Sequence, residues 1–176
     1  MSRLRYLLDT NVVSDLLRRP RGAVAAHIAH VGQETICTSI VVACELRYGA
    51  AKAKSAKLSE RLNAALALLP VLPLDRDADR EYGELRSLLE RRGRTIGPND
   101  LLIAAQALFA GLTVVTGNTR EFERVPGLAV VNWLEGRPMA PPSVQENKAR
   151  YRVKARSPGP RAAAPRKKRA RRAPPT

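Results

Sequence analysis

Cysteine and histidine are scarce in this chain of 176 residues, with two of each. Cys37 and Cys44 are too few for a disulfide framework, and neither joins a histidine at zinc-finger spacing. Long hydrophobic runs are missing as well. The longest apolar stretch, Leu101 to Val115, is interrupted by Gln106 and Thr113 and is too short and mixed for a bilayer span. Asp9 stands directly behind a short apolar run, so no secretory leader fits. These absences lead to the expectation of a soluble, cytoplasmic protein with no membrane role. Acidic residues are few, 16 against 31 Lys and Arg, and the imbalance is uneven. Residues 1–136 carry 18 basic and 15 acidic side chains, whereas residues 137–176 carry 13 and one. The chain therefore reads as a near-neutral domain over 1–136, long enough for a sizeable core, and a basic Pro- and Ala-rich extension over 137–176. The extension has no sustained hydrophobic period and includes the run PRKKRARR, so it is expected to be disordered.

The first 136 residues alternate short apolar runs with helical periods. Strands are expected at 4–8 (LRYLL), 35–38 (TICT), 71–74 (VLPL), 112–117 (LTVVTG) and 128–133 (LAVVNW). Helices are expected at 12–19, 22–31, 39–53 with Ser39 as its cap, 56–69, 75–92, and from Pro98 through PNDLLIAAQALFAG. The helix after Asp75 places Ala78, Tyr82, Leu85, Leu88 and Leu89 at spacings of three and four. The one from Pro98 is apolar nearly all round, as a central helix would be. Strands separated by helices imply an α/β fold, a mostly parallel sheet with helices on both faces.

In such a sheet, ligands bind beyond the carboxyl ends of the strands. Asp9, Thr10 and Asn11 follow the first strand, and Thr116 and Asn118 follow the TVV strand, with Glu121 and Glu123 beyond. Two further acids sit in apolar company: Glu45 interrupts IVVACEL, and Asp100 opens the central helix beside LLIAAQAL. Carboxylates are rarely buried unless paired or bound to a cation. Each has an ordinary reading too. Asp9 can simply cap a helix, Glu45 can face solvent, Asp100 suits a helix dipole, and Asn118 and Glu121 suit a turn and a helix start. Four acids converging on one crevice would repel strongly, and a divalent cation is the simplest remedy. An all-oxygen donor set favours Mg²⁺ or Mn²⁺ over zinc, and the only histidines, His27 and His30, lie in a helix without these acids. That pair reads as packing or surface, and Cys44 as a small core residue.

Three segments carry a resemblance: YLLDTNVVSDLL at 6–17, TSIVVACELRYGA at 38–50, and TIGPNDLLIAAQALFAGLTVVTGNTREFERVPGLAVVNW at 95–133. In this order and at this spacing they resemble the PIN-domain ribonucleases, in particular the VapC-like toxins of type II toxin–antitoxin modules. The resemblance implies a three-layer α/β/α sandwich over 1–136 whose acids bind Mg²⁺ or Mn²⁺ and cleave RNA. It also implies a homodimer, neutralised by a VapB-like antitoxin that enters the active-site groove. Position by position, Asp9, Glu45 and Asp100 match the family's first three acids. Asp9 and Asp100 are the implied direct metal ligands, with Glu45 acting directly or through water. Many relatives carry an aspartate near Asn118, which is an amide here, so either Glu121 serves as the catalytic fourth acid or the site works with three. Asn11, Thr116 and Asn118, together with Thr10 and Ser14, are expected to support these ligands or to contact phosphate. The basic extension departs from the family pattern and would add salt-sensitive attraction to nucleic acid.

Two other phosphoryl-transfer readings fail on single residues. A haloacid-dehalogenase fold needs an aspartate two positions after its nucleophile, where this chain has Asn11. A response receiver needs an acidic pair before its aspartate and a lysine after a later strand, and TVVTGN supplies none. A non-catalytic nucleic-acid-binding protein that uses the basic extension is the alternative from another class.

Overall fold

The computed structural model describes residues 4–135. The basic extension over 137–176, expected to be disordered, lies outside the described residues. Among the described residues five short strands form the centre: β1 (Tyr6–Leu8), β2 (Ile36–Ser39), β3 (Val71–Leu72), β4 (Thr113–Val115) and β5 (Val130–Val131). All pair in parallel, in the order β3-β2-β1-β4-β5. Every side chain of β1 and β4 is buried, as strands covered on both faces must be.

Among the described residues seven α-helices make the connections: α1 (Thr10–Arg18), α2 (Ala23–Val31), α3 (Ile40–Lys52), α4 (Ala56–Leu68), α5 (Arg76–Arg91), α6 (Pro98–Ala110) and α7 (Thr119–Phe122). Helix α1 packs on α2, α3 and α4, while α6 packs on α5 and α7. Right-handed crossovers put these groups on opposite faces, giving the three-layer sandwich. The six expected helices and five expected strands are all present, with β3 and β5 trimmed to two residues each. Ser39 caps α3 as expected, its hydroxyl accepting from the Val41 amide at 3.0 Å. Helix α6 starts at Pro98, and its interior residues Leu101, Ile103, Ala104, Ala105 and Ala107 are buried against the sheet and α5.

Two side chains outside the acids need comment. His27 is buried and stacks on Trp133, ring centroids 5.3 Å apart with nearly parallel planes, while Tyr6 leans on the same indole at 4.9 Å. The pair His27 and His30 is thus packing and surface, as expected. Cys44 is a correction: it is exposed rather than core. Val41, Val42, Ala43, Leu46 and Ala50 already supply the inward side of α3, and position 44 falls with Ile40 and Tyr48 on its outer face.

The strand order fixes where a ligand can sit. From β1 the chain winds outward through β2 to β3, then returns to β4 on the other side of β1 and continues to β5. The direction of winding reverses between β1 and β4, and the carboxyl ends of such a pair border an open crevice. Leu8 is in register with Thr38 on one side and Val115 on the other. Asp9, Ser39 and Thr116 therefore leave the sheet at one level.

Candidate active site

Asp9 is the residue at which β1 becomes α1. Its backbone is extended (φ −79°, ψ 165°), and its carboxylate caps the helix by accepting from the Thr10 amide at 2.7 Å. The capping reading of Asp9 is correct, but it describes only one oxygen. Oδ2 accepts from Asn11 Nδ2 and from Thr116 Oγ1, both at 2.7 Å. Thr116 in turn accepts from Asn11 Nδ2 at 3.0 Å and from the Asn118 amide at 2.9 Å, which uses its one donor and both acceptor positions. Asn11 Oδ1 accepts from the Gly117 amide at 2.9 Å. Gly117 leaves room for the Leu134 side chain, whose Cδ1 a Cβ there would approach to 2.5 Å and displace. Asp9 is 4% exposed; burial pushes its carboxyl above the ordinary value, the bonds from Thr116, Thr10 and Asn11 oppose this, and the Glu45 charge adds to it.

Glu45 comes from the second turn of α3. Its Oε2 accepts the Thr10 hydroxyl and its Oε1 accepts Asn99 Nδ2 at 2.7 Å. The side chain is thus held from two elements, α1 and α6.

Asp100 lies in the first turn of α6, and among the described residues its carboxylate accepts no hydrogen bond. The loop before α6 lets it sit close: a Cβ on Gly97 would stand 3.3 Å from Asp100 Oδ2. Burial pushes this carboxyl up to about 6, and the charges of Asp9, Glu45 and Glu121 push in the same direction. Residues 9, 45, 100 and 121 are far apart in the chain, yet they share one electrostatic neighbourhood.

Glu121 is on α7, and Asn118 is the capping position of that helix without making a side-chain cap bond. Glu121 Oε1 lies 3.1 Å from Arg124 Nη1, and the same nitrogen donates to the Thr95 carbonyl at 2.9 Å. Asn11, Thr116 and Thr10 therefore contact the acids directly, Asn118 reaches them only at one remove through its backbone bond to Thr116, and Ser14 bonds to none of them. Sequence reasoning passed over Asn99 and Arg124. Arg124 follows Glu121 at the three-residue spacing of a helical ion pair and so had a local signal, whereas Asn99, whose partner Glu45 is distant in the chain, had none.

The crevice is acidic but not closed. Among the described residues no three His, Cys, Asp or Glu side chains stand close enough to enclose an ion. The donor set nevertheless suits a hard cation. It is all oxygen, with both histidines elsewhere, and Mg²⁺ commonly retains several waters and takes only one or two carboxylates. Among the described residues no helix is long and apolar enough to cross a membrane.

The family model described as PIN domain matches residues 6–128. A tRNA(fMet)-specific endonuclease VapC of Shigella flexneri is 37% identical over 134 residues, covering 74% of this chain and 98% of its own length. Ribonuclease VapC2 of Rickettsia felis is 35% identical over 130 residues, with coverages of 73% and 97%. Among solved structures, VapBC2 of Rickettsia felis bound to a DNA fragment from its promoter has a chain that aligns with a TM-score of 0.70 at 33% identity. That alignment covers 74% of this chain and 99% of the other.

Proposed function

This chain belongs to the PIN-domain family, among its VapC ribonucleases, and from that premise we propose a Mg²⁺- or Mn²⁺-dependent endoribonuclease acting as the toxin of a type II toxin–antitoxin pair. The observation that carries the metal dependence is Asp100. A half-buried carboxyl pushed up to about 6 by burial and three neighbouring acids is a strong reason for a cation to bind beside it. Asp9 and Asp100 would hold the ion, with Glu45 assisting and Glu121 at the margin. Such an ion, when bound, supplies Lewis acidity that eases loss of a water proton and offsets charge building on phosphate oxygens.

The chain's own residues do the rest. Glu45 orients the attacking water and accepts its proton, the water oxygen bonds to phosphorus as the bond from phosphorus to the 3′ oxygen breaks, and the departing 3′ oxygen takes a proton from solvent. Thr116 and Asn11 hold Asp9 against rotation, so its oxygens face the crevice in one orientation. Asn118 donates its backbone amide to Thr116 and presents an exposed amide side chain at the rim, suited to a phosphate contact.

The substrate class proposed is RNA, and a transfer RNA is a reasonable first probe given the name of the Shigella relative. The partner proposed is a VapB-like antitoxin. Between α1, α2 and α4 runs an open apolar cleft of about 610 Å³, floored by Leu16, Leu17 and Ile28 and edged by Arg18 and Arg61, that could seat part of it. A homodimer is proposed as the solution state, which light scattering would test.

The test is to incubate purified protein with total RNA and either cation, then map new RNA ends for the wild type and for Asp9→Asn. Discrete ends from the wild type alone are expected. The non-catalytic alternative has one observation in its favour, the net charge of the extension over 137–176. Deleting those residues is expected to leave cleavage intact and to weaken salt-dependent RNA binding. A core that binds RNA but cleaves none with either cation would favour the alternative.

A further inference from the structure

Glu45 is the acid with the least reason to stay where it is. It reaches from α3 on a side chain with three rotatable bonds, it is only half-buried, and both Asp9 and Asp100 share its electrostatic neighbourhood. Repulsion favours rotamers that swing it out to water. Two neutral donors oppose that, one on each of its oxygens. The Thr10 hydroxyl bonds Oε2, while the Thr10 amide bonds Asp9, so one residue ties two acids together. Asn99 Nδ2 bonds Oε1 at 2.7 Å from the opposite wall. Thr10 directly follows Asp9, and Asn99 directly precedes Asp100. The two acids that converge on Glu45 thus each bring a chain neighbour that grips it.

The asymmetry lies in what else each donor does. Thr10 is fixed by its place at the start of α1 and by the Asp9 cap. Asn99 is exposed, and its side chain has no other hydrogen bond among the described residues. Its amide must present nitrogen, since an oxygen facing Oε1 would be repelled. A neutral amide holds the carboxylate without neutralising it, whereas an arginine or lysine there would do both.

We propose that Asn99 is the positioning residue for Glu45: its amide, with the Thr10 hydroxyl, forms a two-sided clamp that keeps the Glu45 carboxylate in the crevice. This rests on the ribonuclease reading above. Because Asn99 acts through Glu45 and not on substrate, its loss slows turnover and leaves substrate affinity in place.

The experiment uses the full chain with Mn²⁺ and a labelled oligoribonucleotide carrying a site mapped from total RNA. Wild type, Asp9→Asn, Asn99→Ala and the isosteric Asn99→Asp are compared, with thermal melts on each. Removing one hydrogen bond to a charged group is expected to lower kcat about tenfold in Asn99→Ala, with KM within about twofold. Asn99→Asp is expected to lose more, because it replaces the donor with a third like charge beside Glu45. A kcat for Asn99→Ala within about twofold of wild type, or a loss carried by KM, overturns the positioning role while leaving the ribonuclease reading intact. Wild type that cleaves no RNA, or Asp9→Asn that cleaves as well as wild type, removes the reading and this inference with it.

Discussion

On the β1 side of the crevice, Asp9 and Glu45 accept five hydrogen bonds, from the Thr10 amide and hydroxyl, Asn11, Asn99 and Thr116. On the α6 side, Asp100 accepts none among the described residues, and Glu121 has one ion pair to Arg124. Both sides hold carboxylates in partly buried positions, yet by opposite means. Asp9 is more deeply buried than Asp100, but its donors offset much of the cost, whereas Asp100 is pushed up to about 6. The first side is built to hold a geometry. The second stores charge repulsion that a cation would relieve.

By this contrast, replacing acids should separate activity from stability. The largest effect is on cleavage: Asp9→Asn and Asp100→Asn should each cost at least about a hundredfold in kcat/KM, measured on a mapped RNA site. Next is the donor network. Thr116→Val leaves Asp9 Oδ2, Asn11 Nδ2 and the Asn118 amide each short of a partner, and should destabilise the cation-free protein by about 1–3 kcal/mol in urea unfolding. Asp100→Asn should act with the opposite sign. The folded protein binds this proton up to about 6, against an ordinary 3.8, so stability falls as pH rises through that interval. At pH 7 without cations, Asp100→Asn should therefore be more stable than wild type by about 1–2 kcal/mol after allowance for solvent screening, and the gain should vanish below pH 4. Destabilisation by Asp100→Asn at pH 7 would erase the distinction between the two sides. The smallest effect is at the rim, where Arg124→Ala should change stability by less than about 1 kcal/mol, because the pair with Glu121 is partly exposed.

The same contrast explains what could be read from the amino-acid order. Asp9, Glu45 and Asp100 were legible because a carboxylate inside an apolar run is an anomaly that solvation energies make conspicuous. The strand–helix alternation was legible from β-branched runs such as TVV and from the three-and-four spacing in α5. The clamp around Glu45 was not. Asn99 after Pro98 looks like any helix-start residue, and nothing local says that α6 begins beside α3. Helix α7 spans four residues, fewer than a period can reveal, so Asn118 and Glu121 read equally well as a turn. Cys44 was misread because proximity to core residues in the chain does not fix which way a helical side chain faces. The convergence itself depends on the order β3-β2-β1-β4-β5, a property of pairing across the whole domain.

The most direct measurement is mapping of RNA ends after total RNA is incubated with wild type or Asp100→Asn, in Mn²⁺ and in excess chelator. Four converging acids that work through a cation predict discrete new ends with wild type in Mn²⁺ and none in the other three reactions. The same ends from Asp100→Asn, or from wild type in chelator, would contradict the account.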